Sequence, residues 1–130
     1  MNASNLTKKT IVIACDHAGL PLKKHLMAKF SQINWVDLGT NDESSVDYPD
    51  YADKVSKAIS EKGTPAPGSA DFTPLGVLIC GSGQGMAIKA NRNSNIRAAL
   101  CWTPEIAQLA RAHNNANVLC LGARVMDHAL

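Results

Sequence analysis

Residues 77–85, Val-Leu-Ile-Cys-Gly-Ser-Gly-Gln-Gly, constrain the fold of this chain more than any other stretch. An unbroken apolar run ends at Cys80, the pattern of a strand buried on both faces, as in a parallel sheet. Gly81, Gly83 and Gly85 follow at alternate positions and suit a tight turn whose backbone N–H groups are free to meet negative charge. Met86 to Asn91 is compatible with a helix. The unit is therefore strand, thiol, glycine turn, helix. Two readings are open for Cys80: a small core residue, as most buried cysteines are, or a thiol activated by the partial positive charge of the turn and helix start.

The rest of the chain repeats this alternation. Residues 10–15 predict a first strand, and Asp16-His17-Ala18-Gly19 a loop. Pro21 suits the first turn of a helix with an apolar stripe of Leu22, Leu26 and Phe30. Residues 35–38 predict a second strand, 40–47 a polar loop, and Asp47-Tyr48-Pro49-Asp50 the opening of a helix with Ala52, Val55, Ala58 and Ile59 facing inward. Residues 62–74 form a Pro/Gly/Ser loop expected to be exposed and mobile. Residues 75–80 give the third strand, about 85–91 a helix, and 96–101 a fourth strand. Thr103-Pro104-Glu105 is a strong helix start, with Ile106, Leu109, Ala110 and His113 on one face. Asn114-Asn115 stops that helix, and residues 117–121 form the fifth strand. From Arg124 onward another helix is expected to begin.

Repeated βα units predict a single α/β domain over 1–130, a three-layer doubly wound, Rossmann/flavodoxin-like fold on a five-stranded parallel sheet. In the flavodoxin-like order 2-1-3-4-5, strands one and three are neighbours where the order reverses, and ligands bind beyond their carboxyl ends. Asp16-His17 would then face Cys80 and the glycine turn. His113 and Asn114 would lie at the opposite edge of the sheet, a placement that suits a site to which a second subunit contributes.

Composition narrows the function classes. A net charge of +2 argues against nucleic-acid binding driven by bulk basicity. No apolar run is long enough to span a bilayer. The polar residues 1–9 read as a flexible N-terminus without a signal core, so a cytoplasmic protein is expected. Cys15, Cys80, Cys101 and Cys120 are widely spaced, which fits reduced thiols better than disulfides or zinc. The four histidines show no metal-ligand spacing, and no metal or other cofactor is expected. The glycines match neither a nucleotide-triphosphate loop nor a dinucleotide fingerprint. Met86 stands where a Cys-x5-Arg phosphatase loop would need arginine. The bland alternatives are a helix cap for Asp16, a satisfied core position for His113, a helix stop for Asn114 and a surface charge for Arg124.

Five segments taken together resemble ribose-5-phosphate isomerase type B, in a family that also holds galactose-6-phosphate isomerase subunits. They are Cys-Asp-His-Ala-Gly (15–19), Asp-Tyr-Pro-Asp-Tyr-Ala (47–52), Ile-Cys-Gly-Ser-Gly-Gln-Gly (79–85), Ala-His-Asn-x-x-Asn-Val-Leu (112–119) and Gly-Ala-Arg-Val (122–125). The resemblance implies a cofactor-free aldose–ketose isomerase of a phosphorylated pentose. It implies Cys80 as the base between C1 and C2, since Met86 replaces the glutamate that some members use, and His113 as the acid/base of ring opening. Asp16, His17, Tyr48, the turn of Gly81, Ser82, Gly83, Gln84 and Gly85, Asn114 and Arg124 would bind substrate. A homodimer or homotetramer with shared sites is implied. So are basic residues from a C-terminal helix, before which this sequence stops, so that the helix is expected to be truncated. The alternatives are a hexose 6-phosphate as substrate, or a non-catalytic sugar-phosphate or nucleotide sensor on the same sheet.

Overall fold

A computed structural model describes residues 10–61 and 75–126. The expected flexible start, the 62–74 loop and residues 127–130 of the expected last helix lie outside these. Five parallel strands form one sheet: β1 (Thr10–Cys15), β2 (Asn34–Asp37), β3 (Leu75–Cys80), β4 (Ala98–Leu100) and β5 (Val118–Gly122). Among the described residues, four α-helices connect or follow them: α1 (Leu20–Lys29), α2 (Tyr48–Glu61), α3 (Gln84–Ala90) and α4 (Pro104–Asn114).

Alternation along the strands divides the core into two layers. Val12, Ala14, Leu78, Cys80, Val118 and Cys120 pack with Val55 and Ile59 of α2 and Met86 and Ala90 of α3. Ile13, Cys15, Val77, Ile79 and Leu121 point the other way, onto Leu20 and Leu22. The α/β three-layer reading and the inward face of α2 are thus as expected.

The strand order is β2-β1-β3-β5-β4, not 2-1-3-4-5. The reversal between β1 and β3 stands, but β5 rather than β4 lies beside β3. Burial accounts for the exchange. Four of the five residues of β5 are buried, whereas all three of β4 are only partly so. The more apolar strand takes the interior place and the short one the edge.

Helix α4 also departs from expectation. Thr103 Oγ1 accepts the Ile106 N–H at 3.2 Å, Pro104 opens the helix, and Asn115 ends it in the left-handed region at φ 50°. Yet none of its residues is buried, and Ile106 and Leu109 are 45% and 46% exposed. Ala107 and Ala110, not Ile106 and Leu109, turn toward the sheet, lining an apolar hollow of about 200 Å³ with Val77 and Leu119. A second hollow, about 230 Å³, separates α4 from Leu22 and Leu26 of α1 and from Phe30, the residue that caps its end. Residues 123–126 form a turn and not the start of a helix.

Candidate functional site

The carboxyl ends of β1, β3 and β5 meet at the glycine turn. Cys80 closes β3 with its side chain in the layer of α2 and α3, 5% exposed. Its Sγ accepts the backbone N–H of Gly83 at 3.2 Å. The bond holds the sulfur against the turn. Glycine is required at 83 for two reasons. Its φ of +84° is left-handed, and a Cβ there would lie 2.5 Å from Leu100 Cδ1 and 2.9 Å from the carbonyl carbon of Leu121. Below the turn, Gly122 makes room for the Ser82 carbonyl. The Gln84 N–H goes to Ser82 Oγ at 3.2 Å.

Asp16 and His17 extend β1 past the point where Cys15 pairs with Ile79 of β3. The Asp16 N–H donates to the Ile79 carbonyl at 3.1 Å. Its Oδ1 accepts the Gly19 N–H at 3.1 Å, so the cap foreseen as the bland role is present and takes one carboxylate oxygen. A Cβ at Gly19 would come within 2.7 Å of the Ile79 carbonyl, which is why glycine closes this turn against β3. His17 is half-buried, and its Nδ1 accepts the Val46 N–H at 3.2 Å. Neutral His17 therefore carries its proton on Nε2. Tyr48, 38% exposed at the start of α2, packs on Gly85, where a Cβ would lie 2.5 Å from its Cε1.

Arg124 reaches the same place because β5 neighbours β3. Cys80 pairs with Gly122, and the N–H groups of Ala123 and Arg124 donate to the carbonyls of Cys80 and Gly81 at 2.9 Å each. The exposed Arg124 side chain runs over Gly81: a Cβ on that glycine would be 3.4 Å from its Cδ and 3.5 Å from Nη1. Arg124 is thus part of the turn's surroundings and not a remote surface charge.

His113 and Asn114 do not join this cluster within one chain. They precede β5, whose five residues rise about 16 Å at roughly 3.3 Å each. Both are exposed, so His113 is not a satisfied core histidine. The Asn114 carbonyl accepts Arg97 Nε at 2.6 Å. Trp102 belongs to the site's frame and was missed by sequence reasoning. Its Nε1 donates to the Ser82 carbonyl at 3.3 Å. The available signal was its position just past β4, at the carboxyl edge of the sheet.

The other thiols are structural. Burial pushes Cys15 up to about 11 against the pull of Lys23, and raises Cys101 and Cys120 as well. Among the described residues, no group of three or more His, Cys, Asp or Glu is gathered so as to hold a metal ion, and no helix is long and apolar enough to cross a membrane. The two apolar hollows beside α4 contain none of the candidate residues.

The model of the Ribose/Galactose Isomerase family matches residues 11–130. Ribose-5-phosphate isomerase B of Escherichia coli is 41% identical over 120 residues, 91% of this chain and 74% of that protein. The structure of ribose-5-phosphate isomerase B from Clostridium thermocellum superposes with a TM-score of 0.81 at 37% identity, over 93% of this chain and 77% of that one. That from Thermotoga maritima gives 0.80 at 45% identity, over 94% and 79%. The fold, the ordered motifs and these matches together make the chain a member of the ribose/galactose isomerase family, and hence an isomerase.

Proposed function

We propose that this protein interconverts ribose 5-phosphate and ribulose 5-phosphate through a cis-enediolate, with Cys80 as the base. The observation that carries this reading is the Gly83 N–H held on Cys80 Sγ at 3.2 Å, beside a turn with further donors. In the open-chain aldose, the Cys80 thiolate takes the proton from C2, and negative charge moves to O1. The same thiol returns that proton to C1, while the O2 proton passes to O1. Two of the turn's N–H groups are already committed, Gly83 to sulfur and Gln84 to Ser82. The enediolate therefore falls to the N–H groups of Gly81, Ser82 and Gly85. Ser82 Oγ accepts from Gln84, which leaves its own proton to donate to a substrate oxygen. Asp16 polarises a substrate hydroxyl. His17, through Nε2, and Arg124 hold the phosphate by charge-assisted hydrogen bonds, and Tyr48 borders the sugar. Phosphate binding then supplies the energy that sets C1 and C2 at the thiol.

Ring opening is assigned to His113, with Asn114 as a substrate contact, and both would come from a second copy of the chain in a homodimer or homotetramer. Their exposure and their distance from Cys80 within one chain support this. The decisive experiment incubates the protein with ribose 5-phosphate in D₂O and follows label at C1 and C2. The parent should exchange and isomerise. Cys80→Ala should lose about 10²–10⁴-fold in rate while still binding substrate. An alanine variant with the parent's rate would end the proposal.

A further inference from the structure

Lys23 is fully buried on α1, with a relative exposure of 0%, and lies outside the catalytic cluster. Burying an ammonium is unfavourable unless every proton finds an acceptor. Here each does. Nζ donates to Asp37 Oδ1 at 2.7 Å, to the Thr40 carbonyl at 2.6 Å and to Asn41 Oδ1 at 2.9 Å. An apolar side chain would fill the same space without that desolvation, so the charge is explained by what it gathers.

What it gathers is the segment after β2. Asp37 Oδ1 also accepts the Gly39 N–H at 2.9 Å, curling the chain round the ammonium. The segment is then laced to the carboxyl end of β1. Leu38 N–H donates to Ile13, Cys15 N–H to Gly39, and Thr40 N–H to Cys15, at 2.8–3.0 Å. Asp42 continues it by binding Ser44 N and Oγ at 2.8 and 2.9 Å. It ends at the site itself, with Val46 N–H on His17 Nδ1 and Tyr48 against Gly85. Tyr51 supports it from α2, 3.0 Å from where a Gly39 Cβ would be.

We infer that Lys23 is a positioning residue for substrate binding: its buried ammonium fixes residues 37–48 as one rim of the site, and through that rim sets the His17 imidazole and the Tyr48 ring. The inference rests on the functional reading above for its substrate, but not for its geometry. Lys23→Met keeps the apolar stem and removes the three hydrogen bonds, and Asn41→Ala removes one acceptor at an exposed residue.

The test combines two measurements on protein shown to be folded by circular dichroism. Long-range ¹H–¹⁵N spectra report the His17 tautomer without substrate. The parent should show the proton on Nε2, and Lys23→Met a mixture of tautomers. Steady-state rates with ribose 5-phosphate should show KM raised about tenfold or more, as loss of charge-assisted bonds implies, with kcat changed less. Should Lys23→Met fail to fold, Asn41→Ala carries the same readouts with a smaller shift. A variant that is merely less stable, with the parent's tautomer or the parent's KM, overturns the inference. If the parent itself does not turn over ribose 5-phosphate, the functional reading fails, and the tautomer alone decides the role of Lys23.

Discussion

Gly83 and Gly81 stand two residues apart in one turn, and the structure predicts very unequal consequences for the same substitution. At Gly83 the φ of +84° costs an L-residue about 1–2 kcal/mol. The new Cβ would also meet the Leu121 carbonyl carbon at 2.9 Å and its oxygen at 3.0 Å. These are backbone atoms of the strand paired with β3, so they cannot rotate away. Overpacking of this kind adds about 1–3 kcal/mol. Gly83→Ala should therefore lose about 2–5 kcal/mol, a large part of the roughly 5–15 kcal/mol that holds a domain folded. At Gly81 the new Cβ meets only the Arg124 side chain, at 3.4 Å, and Gly81→Ala should stay within about 0.5 kcal/mol of the parent. Urea unfolding followed by far-UV circular dichroism separates the two. With a slope of about 2 kcal/mol/M, the Gly83→Ala midpoint should fall by about 1–2.5 M. Equal midpoints for the two variants, or a Gly81→Ala variant as damaged as Gly83→Ala, would refute the account of the turn.

Two further outcomes follow from the site and its surroundings. Folding keeps Cys15 protonated up to about 11, whereas an ordinary thiol ionises near 9.0. The unfolded chain thus binds fewer protons than the folded one between these values, and stability should fall as pH rises through about 9 toward 11. Cys15→Ala should make that fall shallower in urea titrations, and coincident slopes would argue against it. If sites are shared between copies, inactive Cys80→Ala and His113→Ala proteins, refolded together, should regain about a quarter of parental activity. In a two-fold dimer half the molecules are mixed, each with one intact site. No recovery in mixed dimers would place both residues in one chain's site.

Much of the fold was legible because it depends on local pattern. The strand at 75–80, the turn and the inward face of α2 follow from apolar runs and glycine spacing. The cap role of Asp16 and its neighbourhood with β3 followed from chain order and the switch point. The order of β4 and β5 was not legible, because right-handed crossovers fix the hand of a connection and not which strand ends at the edge. Only the comparison of burial, with β5 apolar and β4 three residues long, resolves it. Lys23 was invisible for another reason. A lysine beside another lysine on a helix reads as solvated, and its acceptors lie 14 to 18 residues away. The burial of α4 was not legible, because its larger apolar residues point outward while its alanines line the hollow beside the sheet.

The place of β5 between β3 and β4 has a consequence for how the chain becomes a protein during synthesis. Strands β1, β2 and β3 pair only with one another at first, so they can assemble in the order in which they leave the ribosome. β4 has no such option, for its sole strand neighbour among the described residues is β5, about 20 residues later. At roughly 5–20 residues per second it waits a second or more as an unpaired segment. The carbonyls of Cys80 and Gly81 are likewise unclaimed until Ala123 and Arg124 emerge. The thiol is thus made early and its frame last, so a nascent chain stalled before residue 122 would carry Cys80 on an unfinished sheet.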